Sequence, residues 1–255
     1  MLAPPPLHPS SVSAPADPNA QALRLISLLT EPSPELRRHA LTALLPHLDS
    51  SWHLVADRLP DLEACAEDPS DPGADAAAAV ASRVYFHLGE MMDALRLALR
   101  THGEAEAGRG PYWECVRSAA VGLYVSRGAA AAAGAVPAED EDGADAAAEI
   151  ADGALLPVVD AMFRRCYARG DYQEAVGVAL EARDAVRARE ALERAGSPAV
   201  LRYALEHVAG VPSRAFRDGV VAVVREAYSV MAPGTEREAA LAECSLRVGD
   251  AVGCA

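Results

Sequence analysis

Residues 155–183 read Leu-Leu-Pro-Val-Val-Asp-Ala-Met-Phe-Arg-Arg-Cys-Tyr-Ala-Arg-Gly-Asp-Tyr-Gln-Glu-Ala-Val-Gly-Val-Ala-Leu-Glu-Ala-Arg, and their spacing decides the fold. Leu155, Val159, Met162, Phe163, Cys166 and Tyr167 recur at three- and four-residue steps, which places them on one apolar stripe of a helix. Gly170 ends that helix, because glycine adopts without strain the positive φ that closes a helix C-terminus. Asp171 then stands as an N-cap, and Tyr172, Ala175, Val176, Ala179 and Leu180 form a second stripe of the same period. With so short a connection the two helices are antiparallel neighbours packed stripe to stripe, a helical hairpin.

A second stretch, Ala81 to Leu99, repeats the pattern. Superposing Gly89 on Gly170 sets Glu90 over Asp171, Met91 over Tyr172, Asp93 over Glu174, Ala94 over Ala175, Ala98 over Ala179 and Leu99 over Leu180. The shared logic is a glycine stop, an acid at the positive end of the next helix, a bulky anchor, then alanines where two helices approach closely. Self-similar helix pairs point to an all-α fold, an α-solenoid of stacked antiparallel hairpins forming a rod. Two unrelated amphipathic hairpins share part of this pattern, and the Gly-acid-aromatic sequence with spaced alanines also has a weak likeness to tetratricopeptide repeats.

Composition agrees. Hydrophobic residues make up 51% of the 255 positions but aromatics only 5%, and alanine is abundant. Each Leu replaced by Ala gives up roughly 2 kcal/mol of burial, at ~0.8 kcal/mol per methylene. Such a chain must rely on close helix approach repeated many times, which favours an extended helical stack over a β or α/β fold.

The formal charge is -14, and two acidic runs carry nearly all of it: Asp61, Glu63, Glu67, Asp68, Asp71 and Asp75, then Glu139, Asp140, Glu141, Asp142, Asp145, Glu149 and Asp152. The helical remainder is close to neutral. Phosphate backbones are bound by basic stripes, and none is present, so nucleic acid is excluded as a partner. All 23 basic residues are Arg, which removes P-loop and Schiff-base chemistry and leaves no side-chain amine for ubiquitin attachment.

Along the chain, residues 1–18 form a disordered Pro-rich tail. Residues 19–127 are the first part of the helical solenoid. Its first helix, from Asn19 to Leu29, buries Leu25, Leu28 and Leu29; a second, capped by Ser33, carries Leu36, Ala40, Leu44, Leu45 and Leu48 until Pro46 ends or kinks it. Trp52, Val55, Leu59 and Leu62 follow at helical spacing, interrupted by Pro60. Beyond the Pro69–Gly73 loop come helices through Val80, Val84 and Leu88, from Glu90 to Arg100, and from Pro111 through Trp113 to Tyr124, the last containing Cys115. Residues 128–153 are a low-complexity acidic insertion with almost nothing to bury, read as disordered. Residues 154–248 are the second solenoid part, with helices at Ala185–Arg194, Ala199–Val208, Ala215–Met231 and Glu236–Arg247; residues 249–255 form a frayed end.

No catalytic constellation emerges. His8, His39, His47, His53, His87, His102 and His207 show no metal-ligand spacing, although His39 and His47 lie two turns apart. Cys65, Cys115, Cys166, Cys244 and Cys254 are spread singly and read as reduced structural thiols of a cytosolic or nuclear protein. The N-terminus has no signal peptide, and no stretch reaches the ~20 apolar residues that span a bilayer. Thus no catalytic, cofactor-binding or metal-binding residue is assigned, no cofactor or small-molecule substrate is implied, and the partner-binding residues are not legible. Arg164 and Arg165 sit on the exposed side of the anchor hairpin, either as a solvated face or as a contact for a partner's acids.

Ala81 to Leu99 and Val158 to Arg183, with Leu25-Ile26-Ser27-Leu28-Leu29, Glu35-Leu36, Ala40-Leu41, Tyr112 to Tyr124 and Val200 to Leu205, closely resemble the N-terminal region of the larger non-ATPase scaffold subunit of the 26S proteasome regulatory particle. The resemblance covers roughly Leu23 to Met231 and departs in the Pro-rich tail, the Asp68–Asp75 loop and the Ala-rich insertion. It implies a helical rod leading into a toroid of repeats, and a non-catalytic scaffold in the base that organises lid and base subunits and ubiquitin receptors for ubiquitin-dependent degradation, in cytoplasm and nucleus. The family continues well beyond the position of Ala255, so the resemblance implies a truncated fragment without the toroid. Its open end, with Leu241, Leu246 and Val248, is expected to fray or self-associate. The alternative is a free-standing tetratricopeptide-like adaptor that binds a peptide in its groove; an enzyme is a third reading.

Overall fold

A computed structural model describes residues 18–101, 108–134 and 144–248, and among these every regular element is helical. Residues 1–17 of the Pro-rich tail, His8 among them, the centre of the acidic insertion, His102 and the last seven residues, Cys254 included, lie outside the described residues. The chain divides into two compact units, Met1–Glu90 and Met91–Ala255.

The first unit contains α1 (Pro18–Leu28), α2 (Pro34–Leu44), α3 (Leu48–Ser51), α4 (Leu59–Glu67) and α5 (Ala74–Leu88), with single 3-10 turns between α2 and α4. Pro46 stops α2, as its ring and missing N–H require, and turns the chain through Leu45–His47. Pro60 does not interrupt a helix but opens one, sitting in the first turn of α4 where no N–H is needed. The core joins Ala40, Leu41, Leu44, Leu48, Leu62, Val80 and Val84. Two expectations are corrected: Leu36 is 47% exposed, its place taken by Leu41, and Leu25, Leu28 and Leu29 are only half-buried, with Ala22 the residue of α1 that is fully covered. Leu88 is likewise exposed, at the last turn of α5. Ser51 is fully buried because its hydroxyl donates to Asn19 Oδ1 at 3.0 Å, pinning α3 to α1.

The second unit comprises α6 (Met91–Ala98), α7 (Pro111–Ala133), α8 (Ala144–Glu149), α9 (Asp152–Arg169), α10 (Tyr172–Glu181), α11 (Ala185–Ala195), α12 (Pro198–Val208), α13 (Arg214–Ser229) and α14 (Thr235–Val248). From α9 onward each helix packs on the next, and α10 also lies against α12 and α11 against α13. This is the stacked-hairpin arrangement of an α-solenoid. One continuous core runs through it, from Val159, Phe163 and Cys166 through Ala175, Ala179, Leu192 and Leu201 to Val224 and Tyr228.

The two glycine stops are equivalent in detail. Gly89 has φ +91° and Gly170 φ +79°. The N–H of Gly89 bonds the carbonyl of Phe86 and that of Glu90 the carbonyl of Tyr85, just as Gly170 bonds Tyr167 and Asp171 bonds Cys166. Both are left-handed caps that satisfy the last carbonyls of the preceding helix. Asp171, however, makes no side-chain cap bond, and neither does Ser33; the side-chain caps are Asp184 at α11 and Ser213 at α13.

The described parts of the acidic insertion, 128–134 and 144–153, carry helix and bury Ala146, Ala147 and Ile150, more than the almost nothing expected of 128–153. Helix α7 continues to Ala133, α8 buries Ala147 and Ile150, and Asp152 already belongs to α9. The cause is Arg127. Its guanidinium donates to the carbonyls of Ala147 at 2.5 Å and Ile150 at 2.8 Å, and pairs with Asp152 Oδ1 at 2.7 Å. The Ile150 carbonyl is one of the acceptors that a helix C-terminus leaves without a backbone donor, while that of Ala147 also accepts the Ile150 N–H at 3.1 Å.

Candidate interaction surfaces

Among the described residues no group of His, Cys, Asp and Glu could hold a metal ion, and the histidines are dispersed. His39 and His53 are exposed and His47 half-buried. His87 stacks on Trp52 with centroids 5.7 Å apart, its Nε2 3.5 Å from Asp49 Oδ1 but without hydrogen-bond geometry, and His207 stacks on Tyr203. Among the described residues the thiols of Cys65, Cys115, Cys166 and Cys244 are free. Burial pushes Cys65 and Cys166 up to about 11 and raises Cys244, which keeps all three as unreactive thiols. Cys115 differs from expectation: it faces solvent on α7 rather than packing as a small hydrophobe.

In the first unit a cleft of about 280 Å³ opens beside Leu29, Leu41, Leu62 and Cys65. An ion pair occupies its wall, Arg37 Nη2 to Asp71 Oδ2 at 2.8 Å. The Gly73 N–H, 2.7 Å from Asp71 Oδ1, and then Arg37 hold the Asp71 carboxyl below the usual range. Both carboxylate oxygens are thus committed to structure, and the cleft offers no free acid or base.

The second unit is locked by a polar clamp under the α10–α11 turn. Tyr124 on α7 donates to Asp184 Oδ2 at 2.7 Å, while Asp184 Oδ1 accepts the N–H groups of Val186 and Arg187. Arg187 reaches Asp160 on α9 at 2.6 Å and lies over the Phe163 ring, 4.7 Å from its centroid. Burial and the bond to Asp184 raise the Tyr124 hydroxyl well above its ordinary value, so it stays a donor. The turn approaches so closely that a Cβ at Gly128 would overlap the Ala182 carbonyl. These ionisable groups satisfy one another; the clamp positions helices and has no open coordination for a substrate.

What remains open is helix surface. Grooves of about 520 and 600 Å³ flank the α13–α14 pair, one including Val208, Val221 and Leu246, the other Ala222, Leu241 and Ser245. Leu246 is 71% and Val230 84% exposed, while Leu241 is half-buried. Arg164 and Arg165 are exposed on α9 as the sequence reading placed them.

With this geometry in place, comparison with known proteins is decisive. A family model described as the 26S proteasome subunit RPN2, N-terminal domain, matches residues 20–254. The chain belongs to this family. It is 30% identical over 159 residues to the 26S proteasome regulatory subunit rpn2 of Schizosaccharomyces pombe, covering 62% of this chain and 15% of that protein. It is 29% identical over 210 residues to the 26S proteasome non-ATPase regulatory subunit 1 of Drosophila melanogaster, 81% and 20% respectively. Against the 26S proteasome regulatory subunit RPN2 of Saccharomyces cerevisiae the identity is 27% over 161 residues, 63% and 16%. The chain therefore spans a fifth or less of the relatives' length. No helix among the described residues is long and apolar enough to cross a membrane.

Proposed function

We propose that this chain is a non-catalytic scaffold segment of the proteasome regulatory particle base, helping to organise lid and base subunits for ubiquitin-dependent protein degradation in cytoplasm and nucleus. Membership of the RPN2 family across residues 20–254 is the observation that carries the reading. Its support in the molecule is physical: the ionisable side chains of the Arg37–Asp71 pair and of the Tyr124–Asp184–Arg187–Asp160 clamp hold helices together, and exposed helix faces are what the fold presents to other proteins. Binding energy at such surfaces comes from a few anchors in a complementary patch rather than from a chemical site. As one segment of a larger scaffold it positions partners, and it takes no cofactor, small-molecule substrate, nucleic acid or membrane.

The test is recovery of the tagged chain from cells and identification of what accompanies it. Regulatory-particle subunits in stoichiometric amounts are expected. Recovery only with unrelated complexes overturns the proposal.

A further inference from the structure

In the second unit the helices also stack at every other step, α10 on α12 and α11 on α13. The series is not continued from α12 to α14: α14 packs on α13, and α12 and α14 do not pack closely. Between them opens the groove of about 520 Å³. Val208 of α12 and Val221 of α13 line it from inside, each otherwise covered, and Leu246 of α14, 71% exposed, stands on the opposite side. A missing helix contact has thus left apolar side chains around a space that the rest of the stack fills.

The charged lining is uneven. Arg214, Arg217 and Arg247 face the groove with Asp218 as the one acid among them, in a chain that has 37 acidic and 23 basic residues. Arg214 lies 3.5 Å from Asp218 and Arg247 2.6 Å from Glu243, but these are exposed pairs, which contribute little and exchange partners readily. Arg217 is built differently. Its Nη1 donates at 2.6 Å to the Val211 carbonyl and at 2.9 Å to that of Pro212, which anchors the guanidinium to the α12–α13 connection, while its Nη2 has no acceptor among the described residues. Other arginines of the unit lack a carboxylate as well; what sets Arg217 apart is that it is held in place at the lip of an apolar groove. A carboxylate arriving there gains a charge-assisted hydrogen bond without having to immobilise the side chain first.

We infer that the groove between α12, α13 and α14 receives a protein segment carrying an apolar side chain beside a carboxylate, with Leu or Phe seated among Val208, Val221 and Leu246 and Asp or Glu on Arg217. An apolar anchor with a charged contact at its rim is the usual composition of an energetically important interface patch. The inference rests on the scaffold reading and specifies the chemistry of one contact. Charge complementarity selects this occupant. A nucleic acid brings no apolar side chain for the groove and is repelled by the -14 chain, and a second copy docked about a two-fold axis would set the same arginines against each other.

The experiment uses the full chain and the fluorescein-labelled peptide Gly-Ala-Leu-Asp-Glu-Leu-Ala-Gly, read by fluorescence anisotropy at about 50 and about 300 mM salt. Expected are saturable binding at low salt, weakening at high salt, and an affinity loss of about tenfold in Leu246→Ser and in Arg217→Gln, with none in the control Arg38→Gln. Peptides in which Ser replaces both leucines, or amides replace both acids, should each lose about as much. Circular dichroism checks the fold of each variant; Arg217 also braces the α12–α13 connection, so Leu246→Ser, at an exposed position, keeps the test decisive if Arg217→Gln does not fold. No binding at low salt, undiminished binding by Leu246→Ser, equal binding of the leucine-free peptide, tighter binding of single-stranded oligothymidylate, or a wild-type dimer that Leu246→Ser dissociates overturns the inference. The two proposals fail separately: the scaffold reading fails when the wild-type chain recovers no proteasome subunits, whereas the groove fails when it does recover them and the peptide ignores Leu246.

Discussion

Tyr124 and Asp184, sixty positions apart in sequence, share a 2.7 Å hydrogen bond that ties the middle of α7 to the first turn of α11. Because Asp184 also caps α11, one carboxylate serves two helices. Tyr124→Phe is expected to cost about 1 kcal/mol, the net worth of one hydrogen bond. Asp184→Ala should cost about 2–4 kcal/mol, since it removes the cap and also leaves Tyr124 and Arg187 short of a partner. Urea unfolding of the two variants and their double mutant measures the coupling, which additivity would disprove.

Glycine substitutions on α7 should have opposite signs. A Cβ at Gly128 collides with the Ala182 backbone, so Gly128→Ala must push the α10–α11 turn away, at about 1–3 kcal/mol. At Gly122 nothing lies within 4 Å, and Gly122→Ala should stabilise the helix by roughly 0.5–1 kcal/mol. Thermal melting of both variants decides it; equal shifts would rule out the close approach.

Arg127 donates to two carbonyls and a carboxylate at once, a geometry that a single ammonium cannot reproduce. Arg127→Lys should release α8 while leaving α10 and α12 intact. Hydrogen exchange should show faster amides from Ala146 to Ile150 and unchanged rates in Val176–Leu180. Retained protection in α8 would mean that burial of Ala147 and Ile150 suffices without the clasp.

The two units should respond differently to pH. Asp71 has a folded value below its ordinary one, so its contribution is present above about pH 4 and is lost as pH falls through the lower folded value. Cys65 and Cys166 are raised to about 11, so stability is complete below the ordinary thiol value, about 8.5, and declines as pH rises toward 11. Trp52 reports the first unit and Trp113 the second. Asp71→Asn should flatten the acid limb at Trp52 only, and Cys166→Ala the alkaline limb at Trp113.

Much of this fold is written locally. Gly89 and Gly170 announce their left-handed caps because no other residue adopts that conformation so cheaply, and the alanines that follow each, Ala94 and Ala98, Ala175 and Ala179, are fully buried as the spacing implies. What local pattern misses is decided by distant partners. Asp171 and Asp184 stand at equivalent positions before helices, yet only Asp184 caps, because Tyr124 and Arg187 hold its carboxylate in place. The second end of the insertion looks featureless because the residue that clasps it, Arg127, belongs to another helix.

The alanine-lined contacts of the second unit carry one more implication. Ala175, Ala179, Ala188, Ala191 and Ala204 have no χ angle to adjust, so neighbouring helices there rest on main chain rather than on side chains that could rotate to absorb a displacement. A load applied at one helix is handed to the next as movement, with little lost to internal give. The same absence of slack makes every enlarged residue at these positions a wedge, which confines tolerated variation to the solvent side.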